Sequence, residues 1–373
     1  LAAQSLDDPV PYSFPAIIFQ IMYKIKYKLP QTIFLEQDSL SELSEVLKDC
    51  HKIALIYDKS LVSNPVFEQF KSKYRTKIIY EWANFTTNPK LQELDELIHE
   101  YDSLNLKIDV LISMGGGSCI DISKLFIYHR KLKCLKIYIP TTCGTGTESS
   151  PYAVYTDEVN KIKTGIESTD FIADYVILDP NLVKSLPLKY KIATALDSLA
   201  QLIEIIISSK STFATNSSVY GMLIGFLEDI YLLERDENNL DLLFRLMYRA
   251  YFSRLLYPRT GLTVAHAIAH PLGAYSDLHH GIIVANVFST CLKFNLASID
   301  QYKIDLIVLL LKLNNINDLG KKFDELCNSH FKKEKFLLQE IIKSYKSEIA
   351  IKSLNSSNVK SNNVVDAKPL PSL

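Results

Sequence analysis

Between residues 30 and 180, short apolar runs recur at intervals, and the stretches between them have helical spacing. The runs KIALIY (52–57), TKIIYE (76–81), KIDVLIS (107–113), LKIYIP (135–140) and DYVILDP (174–180) are rich in β-branched residues, as strands are. Between them, SLSELSEVLKDC (39–50) and PKLQELDELIHEY (89–101) place apolar residues three and four apart, which predicts amphipathic helices. Strand and helix in alternation predict βαβ units around a parallel sheet. From about residue 182 the pattern becomes a succession of long helical periods, at 189–208, 215–235, 239–256 and 301–313, with no strand run of comparable quality. The expected organisation is an α/β domain, 1–181, then an all-helical domain, 182–373, with a linker near DPNLVKSLP (179–187). The end of the chain, 353–373, is rich in Ser, Asn and Pro and reads as a loop or frayed terminus.

Composition narrows the class. With 47% hydrophobic and 22% charged residues the chain reads as an ordinary globular protein. A net charge of −1 supplies no basic field, so no nucleic-acid partner is expected. FPAIIFQIMY (14–23) is about half the ~20 residues a membrane span needs, and it lacks the flanks of a signal peptide. Six cysteines, at 50, 119, 134, 143, 291 and 327, include no C-x-x-C pair. Reduced thiols in the cytoplasm, away from membranes, are the expectation.

Three stretches carry candidate chemistry. LISMGGGSCIDISK (111–124) follows a strand and opens a helix. Its glycines permit close backbone approach, and the helix start offers free N–H groups to a phosphate. The plainer alternative is a tight turn with Ser118 as N-cap. PTTCGTGTESS (140–150) also follows a strand, and its density of hydroxyls suits a polar ligand. Two such loops at strand carboxyl ends are what a dinucleotide cleft requires. The third stretch, HAIAHPLGAYSDLHHG (266–281), holds four of the chain's eight histidines. It reads as a metal site, a proton relay or an exposed polar loop. Asp58, after the strand KIALIY, can bond ribose hydroxyls and repel a 2′-phosphate, favouring NAD(H) over NADP(H). It can equally cap the turn KSLVS.

GGGSCIDISK and PTTCGTGTESS together resemble motifs of the iron-containing (group III) alcohol dehydrogenases. The resemblance continues through YTDEVNKIKTGI, DYVILDPNLVKSLP, ALDSLAQLIE and the histidine stretch, over roughly residues 28 to 290. It implies a dehydroquinate-synthase-like fold, an α/β Rossmann-like domain plus an all-α domain, with the active site in the cleft between. It implies a metal-dependent oxidoreductase, expected as a homodimer, that moves a hydride between NAD(H) and a small alcohol or aldehyde. Gly116, Gly117, Ser118 and Asp121 fall at the pyrophosphate and its helix. Thr141, Thr142 and Thr145 fall near the phosphates and nicotinamide, Lys163 near the ribose, and Asn88 beside the adenosine end. A divalent ion, Fe(II) or Zn(II), is expected on Asp197, His266 and His280, with the side-chain oxygen of Gln201 as a weaker fourth ligand. His270 is implied as a proton relay; His279 matches no role and reads as exposed. The departure is Gln201, an amide where the family pattern has imidazole, on the same helical face as Asp197. It keeps open a metal-independent reductase of the maleylacetate reductase type. A non-redox lyase or cyclase relative, and a nucleotide-binding regulator without catalysis, are the further alternatives. The second loop argues against the lyase, and the retained histidines against the regulator.

Overall fold

The computed structural model describes residue 30 and residues 32–363. FPAIIFQIMY and the tail from 364 onward lie outside the described residues. The described residues form eight strands: β1 (Thr32–Leu35), β2 (Ile53–Tyr57), β3 (Ile78–Trp82), β4 (Val110–Gly115), β5 (Leu135–Pro140), β6 (Tyr152–Asp157), β7 (Ile162–Glu167) and β8 (Tyr175–Leu178). Six of them form one parallel sheet in the order β1-β8-β5-β4-β2-β3. The helices α1 (Leu43–Val46), α2 (Pro65–Tyr74), α3 (Leu91–Ser103) and α4 (Gly117–Arg130) occupy its connections. The central strands are largely apolar because both faces are covered, while edge strand β3 exposes Ile79 and Glu81. Ile53 and Leu55 pack with Phe67 and Phe70 on one side, while Ala54 and Ile56 pack with Leu97 and Phe126 on the other.

The five runs read as strands are strands, with ends shifted by up to three residues. Two features were not expected. β1 is a four-residue edge strand against β8, and β6 and β7 form a separate antiparallel hairpin. Neither contains a long apolar run to announce it.

After β8 the described chain is helical: α5 (Leu188–Ile207), α6 (Phe213–Leu223), α7 (Phe226–Leu233), α8 (Leu240–Thr260), α9 (Val264–Ala274), α10 (His280–Asn295), α11 (Gln301–Leu310), α12 (Ile316–His330), α13 (Lys332–Asn355) and α14 (Ser357–Lys360). The helix expected over 215–235 is two helices. Gly225 takes a left-handed φ of 68° between α6 and α7, and Ile224 before it leaves the helical region. Residues 353–363, expected as loop or frayed end, are instead folded onto the domain. Asn362 is buried against Gly261, and its carbonyl accepts from Ser209 N at 2.8 Å. α5 is the centre of this half, buried along nearly its whole length. The segment His280–Ser298 is long and apolar enough to cross a membrane, but most of it is buried, packed against α5, α9 and α12.

Candidate active site

Strand order reverses between β2 and β4, the point where open α/β sheets bind ligands at the strand carboxyl ends. Three predicted segments meet at this edge: Asp58 N donates to Met114 O at 3.0 Å, and Thr141 N to Gly115 O at 3.0 Å. Asp58 caps the turn after β2, its Oδ1 accepting from Ser60 N at 2.9 Å. The capping alternative therefore holds, and it leaves the second carboxylate oxygen for other work. Gly116, not Ser118, is the N-cap of α4; Ser118 Oγ donates to Thr87 O at 2.6 Å.

The glycine and threonine loops pack glycine against threonine. A Cβ on Gly116 would lie 3.0 Å from Thr142 Cγ2, and one on Gly117 would lie 3.0 Å from Thr145 Cγ2. The buried hydroxyls of Thr142 and Thr145 have no hydrogen-bond partner among the described residues. Buried hydroxyls are rarely left so. Two orphaned hydroxyls beside a helix N-terminus form a cradle suited to phosphate oxygens. Beneath it, fully buried Lys124 donates to the carbonyls of Thr147 (2.6 Å), Ser150 (2.8 Å) and Tyr152 (2.8 Å). Burial pushes this amine down to about 8, against the opposing pull of Asp121. Asp121 accepts from Thr147 Oγ1 at 3.1 Å, so it too holds the threonine loop. The same loop rests on α5, where a Cβ on Gly144 would meet Thr194 O at 1.7 Å. Lys163, on β7, donates to Oδ1 of buried Asn88 at 3.1 Å.

Across the cleft, α5, α9 and α10 bring three groups together. Ligand atoms of Asp197, His266 and His280 all lie within 4.8 Å of one another. Asp197 Oδ1 is 3.2 Å from His266 Nε2. The other ring nitrogen of His266, Nδ1, bonds Glu204, which was not singled out in the sequence. Glu204 lies seven residues after Asp197, two turns along one face of α5. Its Oε1 also accepts from Thr263 N and Ala265 N, both at 3.1 Å, at the N-terminus of α9. One carboxylate thus caps α9 and fixes the tautomer of His266, turning Nε2 toward Asp197. Burial opposes a charged His266, but Glu204 and Asp197 outweigh it and raise the ring to about 9. His280 Nδ1 is buried without a partner among the described residues.

Gln201 is buried one turn after Asp197. Its Oε1 lies 3.2 Å from Ser253 Oγ, which is also 2.8 Å from Ala250 O. His270 is half-buried, its ring centroid 5.6 Å from that of His280 and 6.4 Å from that of His266. Burial, helped by the nearby Lys163 charge, holds it well below the usual histidine range, so it is neutral. His279 is not the exposed residue expected. It is half-buried beside Tyr190, with centroids 5.4 Å apart, and its Nδ1 accepts from Gly281 N at the start of α10. A surface hollow of about 390 Å³ is lined by Lys59, Phe85, Lys90 and Glu158 and contains none of these histidines.

Residues 30–180 match the family model described as iron-containing alcohol dehydrogenase, and residues 191–367 match its C-terminal counterpart. The chain belongs to the iron-containing alcohol dehydrogenase family. It is an oxidoreductase of the alcohol dehydrogenase type. It is similar to a 1-propanol dehydrogenase of Citrobacter freundii, 27% identical over 72% of this chain and 73% of that one. It is equally similar, 27% over 72% of its length, to the bifunctional aldehyde-alcohol dehydrogenase of Escherichia coli, of which it spans 34%. The sulfoacetaldehyde reductase of Bifidobacterium kashiwanohense, solved in complex with NAD+, superposes with a TM-score of 0.77. That match is at 20% identity and covers 91% of this chain and 94% of that one.

The residues fit the family's divalent ion. Two imidazoles and a carboxylate form a donor set for Fe(II) or Zn(II), and the His280 Nδ1 has no other partner among the described residues. Glu204 then has a measurable role. An ion must displace the proton that His266 holds below about pH 9, so affinity should rise with pH up to that point. Glu204→Gln weakens the ring's hold on metal by about 10- to 100-fold near pH 9. The deficit should narrow as pH falls, because the variant ring no longer binds a proton so tightly. Metal titrations at pH 7 and pH 9 check this; a gap that widens toward pH 7 contradicts it.

Proposed function

We propose that this alcohol dehydrogenase uses NAD(H) and one Fe(II) or Zn(II) ion to interconvert a small alcohol and its aldehyde. The carrying observation is the convergence of Asp197, His266 and His280 on the helical side of the cleft, with two orphaned threonine hydroxyls on the other. When bound, the ion polarises the substrate oxygen and the nicotinamide exchanges the hydride. Gly116, Gly117, Ser118, Thr142 and Thr145 hold the pyrophosphate, with Thr141 setting the loop and Lys163 serving the ribose. His270, its ring beside those of His266 and His280, accepts the alcohol proton in oxidation and returns it in reduction.

Gln201 is the fourth ligand in this reading. Ser253 has one hydroxyl proton for two acceptors. Turning the amide over gives its NH2 to Ser253 and leaves that proton to Ala250, which frees the amide oxygen for an ion. The relatives' named substrates, 1-propanol among them, support a short alcohol. The reading also takes the protein to be a cytoplasmic homodimer with domains meeting near residue 181. Six free thiols suit that compartment.

Asp58 sets the cofactor. Its free oxygen bonds ribose hydroxyls and repels a 2′-phosphate, so NADH is preferred. Asp58→Ala should lower the ratio of kcat/KM for NADH to that for NADPH by about tenfold or more. Equal use of both cofactors by the unaltered enzyme, in aldehyde reduction assays, would remove the assignment.

A further inference from the structure

Residues 86–89 lie between the glycine loop, the hairpin and the histidine loop, and each of the three is bonded to them. Ser118 Oγ donates to Thr87 O at 2.6 Å, and Thr156 N donates to Pro89 O at 2.7 Å. Asn88, between those anchors, is 6% exposed and spans the cleft with its side chain. Its Oδ1 accepts from Lys163 Nζ at 3.1 Å, and its Nδ2 donates to Leu278 O at 3.2 Å. The partners fix which way the amide faces, since an ammonium only donates and a carbonyl only accepts. Leu278 is two residues before His280. His279, between them, closes the start of α10 by accepting from Gly281 N at 3.2 Å.

We propose that Asn88 is a positioning residue that ties His280 to the cofactor face, so that NAD(H) and metal each bind more tightly when the other is present. The inference rests on the proposed function, because it needs both ligands. A dinucleotide seated on Ser118 and Lys163 restrains the segment that holds Asn88, and the Leu278 bond passes that restraint to the loop carrying His280. Linkage makes the effect reciprocal. A residue that only contacted the cofactor would change NADH affinity and leave metal retention alone.

The test reads metal release. Purified protein loaded with Zn(II) is mixed with excess chromogenic chelator, with and without saturating NADH. The unaltered chain, Asn88→Ala and Asn88→Asp are compared, with NADH saturation verified by fluorescence. NADH should slow release from the unaltered protein by about tenfold, within the usual range of coupling between sites. In Asn88→Ala the slowing should shrink to less than about twofold at saturating NADH. Asn88→Asp keeps an acceptor for Lys163 but sets a carboxylate against Leu278 O, and it should uncouple in the same way. Full slowing in either variant, or none in the unaltered protein, overturns the inference while both ligands still bind. An unaltered protein that binds no metal or no NADH overturns the proposed function itself, and this inference with it.

Discussion

His280→Ala should give a folded protein that retains almost no metal and turns over at least about a thousandfold more slowly. The structural reason is asymmetric. His280 Nδ1 has no hydrogen-bond partner among the described residues, so its removal costs the fold no bond at that nitrogen. For an ion, the same change leaves one imidazole, one carboxylate and an amide, which is a poor set. An ion stabilises the developing charge on the substrate oxygen by several kcal/mol, and about 1.4 kcal/mol is a factor of ten in rate. Circular dichroism unchanged from the parent, with metal content near zero, is the expected pair of results. Metal content equal to the parent's would remove His280 from the site.

Gly281→Ala should be nearly as damaging to metal binding and more damaging to stability. A Cβ there would lie 2.4 Å from Ala193 O and 3.3 Å from Asp197 Cβ. The first of these is backbone and cannot swing away. α10 must therefore shift off α5, and His280 at its start moves with it, away from Asp197. Overpacking of this kind costs about 1–3 kcal/mol. Gly273, on α9, is the control: its added Cβ would meet nothing nearer than Ile283 Cδ1 at 3.6 Å, so Gly273→Ala should be neutral or slightly stabilising. Melting temperature and metal release for the two variants check the pair. Matching behaviour would mean that the α5–α10 approach does not set the ligand geometry.

These predictions need distances that no sequence pattern contains, and the same limit marks what was legible beforehand. The parallel sheet could be read because its central strands are covered on both faces and so are largely apolar, as in Ile53–Tyr57 and Val110–Gly115. The hairpin could not: β6 and β7 mix polar and apolar residues, and Gly165 interrupts β7. Pro271 and Gly273 hid the helical period of α9, which nonetheless carries His266 and His270 on one face. Gly225 gave a local sign of the break between α6 and α7, but the helical period on either side outweighed it. The docking of Asn362 could not be read locally, because Ser209 and Gly261, on which it docks, are more than a hundred residues away.

The site divides in the same way. Asp197 and Gln201 share a helical face by spacing alone, and Glu204 continues that face at the seventh position, so its proximity to the cluster was legible in principle. What spacing could not show is that Glu204 reaches α9 and takes His266 by Nδ1. Nor could it show that the turn before α10 brings His280 back to Asp197. The family resemblance supplied that convergence, and the packing of Gly281 on Ala193 now gives its physical cause.

The central claim is that reduction of an aldehyde by NADH here depends on an ion held by Asp197, His266 and His280. Its most direct test measures metal content and NADH oxidation on the same samples of the unaltered protein, before chelation, after it, and after return of Fe(II) or Zn(II). The account predicts that turnover falls with the metal, and that stoichiometric re-addition of one of these ions restores it. Full turnover by protein shown to be free of metal would contradict the account. The chemistry would then fall to His270 as acid and base, with Gln201 marking a metal-independent reductase.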